Sequence, residues 1–79
     1  MKLSIAIGKR IQELLFSKNI TQYRLAKLTC LSQNCISNII RGKNSDINFS
    51  TIYLIAQALN ISLVEFLNSR LFDSDNIEI

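Results

Sequence analysis

The sequence predicts an all-α domain: five short helices around one core, with helices 2 and 3 joined by a tight turn. Three observations carry this expectation. The 79 residues hold no proline and only two glycines, Gly8 and Gly42, too few breakers for a turn-rich β fold. Apolar residues recur at helical spacing, as in Ile7, Ile11, Leu14 and Leu15. Most of these blocks are bracketed by residues suited to start or stop a helix. With 48% apolar content, a chain of this length can bury a core without disulfides or metal.

Helix 1 is expected from Ser4 to Lys18, with Ile7, Ile11, Leu14 and Leu15 as its inner stripe, and Asn19 as a left-handed stop. Thr21 suits the N-cap of helix 2, Gln22 to Thr29, which directs Leu25, Ala26 and Leu28 inward. Ser32 caps helix 3, Gln33 to Arg41, and Gly42 terminates it. Residues 43–48 form the one loop. Asn48 can cap helix 4, Phe49 to Leu59, whose Phe49, Ile52, Ile55, Ala56 and Leu59 follow helical spacing, and Asn60 ends it as Asn19 ends helix 1. Ser62-Leu-Val-Glu65 reads as a capping box. It opens helix 5, Leu63 to Ser69, with Val64, Phe66 and Leu67 as apolar contacts. Residues 70–79 show no helical period; Leu71, Phe72, Ile77 and Ile79 sit among acids. The expected division is a domain over 1–69 and a tail over 70–79 available for dimerisation.

Helix 3 divides into two halves. At about 100° per residue, Cys35, Ile36, Ile39 and Ile40 fall on one arc and Gln33, Asn34, Ser37, Asn38 and Arg41 on the other. The polar arc carries no carboxylate. Amides, a hydroxyl and a guanidinium match base edges and phosphates, which a carboxylate would repel. Charge is split in the same sense. Residues 1–45 hold eight Lys/Arg against Glu13 alone, a net of +7; residues 46–79 hold Arg70 against five acids, a net of −4. One face suits a polyanion and the other something else.

Other classes are poorly served. With no histidine and only Cys30 and Cys35, a structural metal site lacks ligands, and the two cysteines read as thiols in a reducing compartment. No carboxylate pair flanks a plausible cleft and neither cysteine has a base nearby in sequence, so neither an enzyme nor a cofactor is expected. The amino-terminal apolar stretch is too short for a secretory signal. The longest apolar run, Ile52 to Leu59, contains Gln57 and falls far below membrane-spanning length. A cytoplasmic protein without membrane contact is expected.

Several spaced motifs resemble the phage-repressor/Cro-type helix-turn-helix family. They are Arg-Ile-x-x-Leu in helix 1, Thr-Gln-x-x-Leu-Ala at 21–26, Leu-Ser-Gln-x-x-Ile-Ser-x-Ile at 31–39, Arg-Gly-Lys at 41–43 and Ile-Ala-x-Ala-Leu-x-Ile-Ser at 55–62. The resemblance implies a compact five-helix lambda-repressor-like fold with helix 3 in the major groove of double-stranded DNA. It implies base reading by Gln33, Asn34 and Asn38, with Ser37 meeting a thymine methyl or a water. Gln and Asn pair bidentately with adenine, so A·T pairs are expected in the half-site. Phosphate contacts are implied for Thr21 and Gln22 at the start of helix 2, and for Arg41, Lys43 and Asn44 after helix 3. Two departures carry expectations. Cys30 occupies the turn position where the family prefers glycine, so it is expected left-handed at a cost of about 1 kcal/mol. Leu15 and Ile40 replace a charged pair and are expected to meet in the core. The implied function is a sequence-specific transcriptional regulator, a repressor binding a two-fold operator as a homodimer through helix 5 and the tail. The alternative is an antitoxin that holds a protein partner on its acidic C-terminal face.

Overall fold

Helix α1 (Leu3–Lys18) closes where Asn19 turns left-handed, at φ 58°. The next amide, on Ile20, reaches back to the Leu15 carbonyl at 2.9 Å, and the Ile20 side chain packs on the core. Helix α4 (Phe49–Ala58) ends in the same way: Asn60 has φ 62°, and Ile61 N–H donates to the Ala56 carbonyl at 3.0 Å. Asparagine does here what glycine usually does, because its short polar side chain tolerates the left-handed region. The computed structural model describes residues 1–43 and 47–78.

Between these two helices lie α2 (Gln22–Thr29) and α3 (Gln33–Ile40), followed after α4 by the short α5 (Leu63–Leu67). Each starts on the residue expected to cap it. Thr21 accepts from Arg24 N–H at 3.1 Å, Ser32 from Cys35 N–H at 3.0 Å and Asn48 from Ser50 N–H at 3.4 Å. Ser62 accepts from Glu65 N–H at 3.1 Å, which makes the serine half of the capping box. The boundaries lie within two residues of those expected, the ordinary fraying range of helix ends. Among the described residues there is no strand, only a single bridge between Lys2 and Glu78.

The core joins all five helices. Ile11, Leu25, Ile36, Ile39, Ile55, Leu59 and Phe66 are fully buried. Four expected inward residues point outward instead. On α2, Leu25, Thr29 and Ala26 lie within about 100° of each other, whereas Leu28 sits about 60° outside that arc and is 42% exposed. Phe49, at 61% exposure, is the first residue of α4. A helical side chain leans toward the preceding turn, and none exists there. Five residues give α5 one narrow inner face, taken by Phe66, so Val64 (79% exposed) and Leu67 lie outside.

Helix α5 is shorter than expected because Asn68 leaves the helical region and Ser69 is extended. The Ser69 hydroxyl then caps a 3-10 turn, Arg70–Phe72, accepting from Leu71 N–H at 3.2 Å. This turn packs on α1, and the Phe72 ring stacks against Phe66 with centroids 6.5 Å apart. Further on, Glu78 N–H donates to the Met1 carbonyl at 2.7 Å. Residues 70–72 thus lie against α1 and Glu78 against Met1 just ahead of it, while Ile79 is outside the described residues.

Helix α1 meets the end of α3 at Gly8. A Cβ there would meet the carbonyl oxygen of Ile39 at 2.8 Å and that of Ile40 closer still. Leu15 and Ile40 are both buried in the common core, as expected. Gly8, where the backbones of the two helices touch, lies two turns and about 10 Å of helix rise before Leu15.

Candidate nucleic-acid interface

Helix α3 is held from its apolar side. Ile36, Ile39 and Ile40 are buried and Cys35 packs partly against the core, which fixes the roll of the helix about its own axis. The remaining side chains are thereby turned outward together. Taking Gln33 as origin, Ser37, Arg41, Asn34 and Asn38 follow within about 140° of arc. Gln33 and Asn34 are exposed in the first turn; Ser37 and Asn38 are half-buried in the second. Among the described residues, none of these four side chains makes a hydrogen bond with the rest of the chain. Their amide and hydroxyl groups are free to pair with another molecule.

The flanking groups are cationic or polar. Gln22 is exposed at the first position of α2, where the amides of a helix start and its dipole favour an anion. Thr21, beside it, accepts the cap bond from Arg24 N–H with its hydroxyl oxygen, which leaves the O–H as a donor. Arg41 forms the C-cap of α3, and exposed Lys43 follows Gly42, its amide donating to the Asn38 carbonyl at 3.0 Å. Asn44 lies outside the described residues. The stretch 14–45 contains Lys18, Arg24, Lys27, Arg41 and Lys43 without a carboxylate, so no acid within it offsets those charges. Lys27 lies over the Tyr23 ring, 4.8 Å from its centroid, which keeps that charge on the outer side of α2.

The connection from α2 to α3 sets the angle at which this face is presented. Cys30 is left-handed, with φ 60° and ψ 21°, as its position in the turn predicted. Cys30→Gly should therefore stabilise the fold by about 0.5–1 kcal/mol, because the strain of a Cβ at positive φ is removed. Thermal unfolding of the two proteins checks this, and a lower midpoint for the glycine variant would count against it. Behind Cys30 sits Thr29, the one buried polar residue among the described ones. Its hydroxyl donates to the Leu25 carbonyl at 2.8 Å, lies 3.2 Å from the Ala26 carbonyl, and accepts from Leu31 N–H at 3.4 Å.

Three residues that shape this site escaped the sequence reading. Thr29 falls in angle between Leu25 and Ala26, and that spacing was the available signal. Gly8 allows α1 to reach the end of α3. Arg10 belongs to the Arg-Ile-x-x-Leu motif, but the motif assigns it no partner; its guanidinium donates to the carbonyls of Phe66 at 2.7 Å and Glu65 at 2.8 Å, closing the end of α5. Among the described residues no helix is long and apolar enough to cross a membrane, and no His/Cys/Asp/Glu group could hold a metal.

Comparison with known proteins agrees with this geometry. A helix-turn-helix family model matches residues 11–66. No curated protein matches the sequence. Among solved structures, the chain is similar to the restriction-modification controller protein C.AhdI from Aeromonas hydrophila. That match has 28% identity and a TM-score of 0.74, covering 80% of this chain and 94% of that one. A prophage Lp1 protein shares the fold at 24% identity and a TM-score of 0.80, with 94% of this chain and 99% of that one covered. The clp gene regulator ClgR from C. glutamicum does so at 22% identity and a TM-score of 0.79, covering 85% and 86%. The family match spans both helices of the motif and most of the helices that brace them, and the chain belongs to the helix-turn-helix family of the Cro/C1 type.

Proposed function

We propose that this DNA-binding regulator is a sequence-specific transcriptional repressor that reads a two-fold operator as a homodimer. The observation that carries the reading is the polar face of α3. It combines amide and hydroxyl groups without partners in the described chain, a core-locked helix roll and a surrounding stretch free of carboxylates. In this reading Gln33, Asn34 and Asn38 contact base edges, and Ser37 a thymine methyl or a water. Thr21, Gln22, Arg41, Lys43 and Asn44 line the phosphates on either side. The similarity to a restriction-modification controller protein supports a regulatory role.

Selection of bound sequences from a random duplex pool tests the proposal and supplies the operator. Two variants then separate reading from holding. Asn34→Ala should lose about 1–3 kcal/mol on the selected duplex and little on a scrambled one. Lys43→Ala should weaken both similarly and lower the salt slope by about one counterion. Equal losses for Asn34→Ala on both duplexes would remove α3 as the reader.

A dimer follows from affinity, because one such module buries modest area and two half-sites multiply the binding. Helix α5 supplies its contact in this proposal. Val64 and Leu67 are apolar and exposed in the single chain, whereas Phe72 of the tail is engaged with Phe66. Val64→Glu should shift the protein to monomer in sedimentation without loss of helix content, and an unchanged dimer would place the contact elsewhere.

A further inference from the structure

We propose that the Thr29 hydroxyl is the positioning group of the recognition helix, holding the strained left-handed turn at Cys30 and so setting the angle of α3 against α2. The connection between these helices is three residues long, Cys30, Leu31 and Ser32. A short connection transmits any change in its backbone directly to the helix that follows. Glycine would adopt the φ of 60° at Cys30 freely, but a residue with a Cβ needs a neighbour to hold it there.

Thr29 is placed to do so. It is buried, and its hydroxyl hydrogen points back into α2 toward Leu25 and Ala26. A lone pair is left facing forward, where it accepts the Leu31 amide on the far side of Cys30. That amide belongs to a half-buried residue whose side chain packs on the core, and no other acceptor for it occurs among the described residues. One side chain therefore brackets the strained residue from both sides. A partly buried amide that loses its acceptor costs free energy, so the bond favours the left-handed turn over alternatives that release Leu31.

The consequence is functional. Gln22 at the start of α2 and Gln33 and Asn34 at the start of α3 must meet a phosphate and base edges in one register. The proposal rests on the reading of α3 as the base reader, and it assigns the register between those contacts to Thr29. Thr29 itself reaches no DNA.

The test compares Thr29→Val, which keeps the shape and removes the hydroxyl, with Thr29→Ser, which keeps the hydroxyl. Amide hydrogen exchange of the free protein and binding to selected and scrambled duplexes are measured for each. In Thr29→Val the Leu31 amide should exchange about tenfold faster, the scale of one net hydrogen bond, while amides in α1 and α4 keep their protection. Preference for the selected over the scrambled duplex should fall by about tenfold, with scrambled binding unchanged. Thr29→Ser should restore both. Adding Cys30→Gly to Thr29→Val should restore preference without restoring the Leu31 bond, since glycine takes the left-handed φ without strain and needs no hydroxyl to hold it there. An unchanged Leu31 exchange rate in Thr29→Val overturns the clamp. Faster exchange with undiminished preference overturns the link to reading, as does a serine variant as impaired as the valine one. If the native chain prefers no duplex, the DNA reading of α3 fails and the assignment of register fails with it, while Leu31 exchange still decides whether the hydroxyl holds the turn.

Discussion

Phe66→Ala should lower the stability of the domain by about 3–5 kcal/mol, the range for truncating a fully buried aromatic. Phe66 is completely enclosed although α5 is only five residues long. An isolated helix of that length has no stability of its own, so its position depends on the side chain it buries. Removing the ring takes away three supports together: its core contacts, the stacking with Phe72, and the firm placement of the carbonyls that receive Arg10. A domain of this size holds about 4–12 kcal/mol in total, at 0.05–0.15 kcal/mol per residue. The loss is therefore a large fraction of the whole. The midpoint of thermal unfolding should drop by well over 10 °C at about 4–8 °C per kcal/mol. Phe66→Leu, which keeps an apolar side chain in place, should cost less than half as much. A fall of only a few degrees for the alanine variant would show that α5 and the tail hold their places without the ring.

Features encoded by neighbouring residues were legible in the sequence. The capping roles of Thr21, Ser32, Asn48 and Ser62 depend on an oxygen and an amide two or three positions apart. The left-handed residues Asn19 and Asn60 are set by the need of each helix to stop before the next begins, whereas the left-handed Cys30 followed only from the family resemblance. Helical spacing also sorted α3 correctly into a core side and a polar side, because its three isoleucines leave only one way to roll the helix.

What failed to show was decided at a distance. Arg10 finds its acceptors 55 and 56 residues away, and no local pattern marks such a bond. The tail has no helical period, yet it settles against α1 through Phe72 and through the pairing of Glu78 with Met1. Exposure of Leu28, Val64 and Leu67 depends on how many partners surround helices only five to eight residues long. Apolar character identifies candidates for burial, while the number of available neighbours decides which are accepted. At the candidate site the outward face of α3 was legible for the reason given above. The angle of Thr29 on α2 signals its burial, but the bond from Leu31 to its hydroxyl was hidden, because in sequence it looks like any polar residue near a turn.

Gly8→Ala isolates the same distinction between local and distant control, because the two make opposite predictions for one substitution. Local propensity favours alanine: glycine in a helix interior costs about 0.8–1.0 kcal/mol relative to it. Gly8 lies in the second turn of α1, so by propensity alone the variant should be more stable. Packing opposes this. The added Cβ would meet the backbone carbonyls of Ile39 and Ile40, the former at 2.8 Å, and backbone cannot rotate aside as a side chain can. Overfilling a packed contact costs about 1–3 kcal/mol, and a clash against fixed carbonyls belongs at the upper end. Packing wins by roughly 2 kcal/mol, and the variant should unfold at a lower temperature by about 8–16 °C. Relief requires α1 to move away from the end of α3, which also disturbs Gly42, packed against Ile5. The displacement falls at Arg41 and Lys43 rather than at Gln33 and Asn34, since these pairs lie at opposite ends of the helix. Binding to scrambled and selected DNA should therefore weaken together at a temperature where the variant remains folded. Unfolding by urea and binding isotherms at several salt concentrations check both parts. An alanine variant as stable as the native chain would mean that α1 and α3 can separate without loss, and that Gly8 does not set their approach.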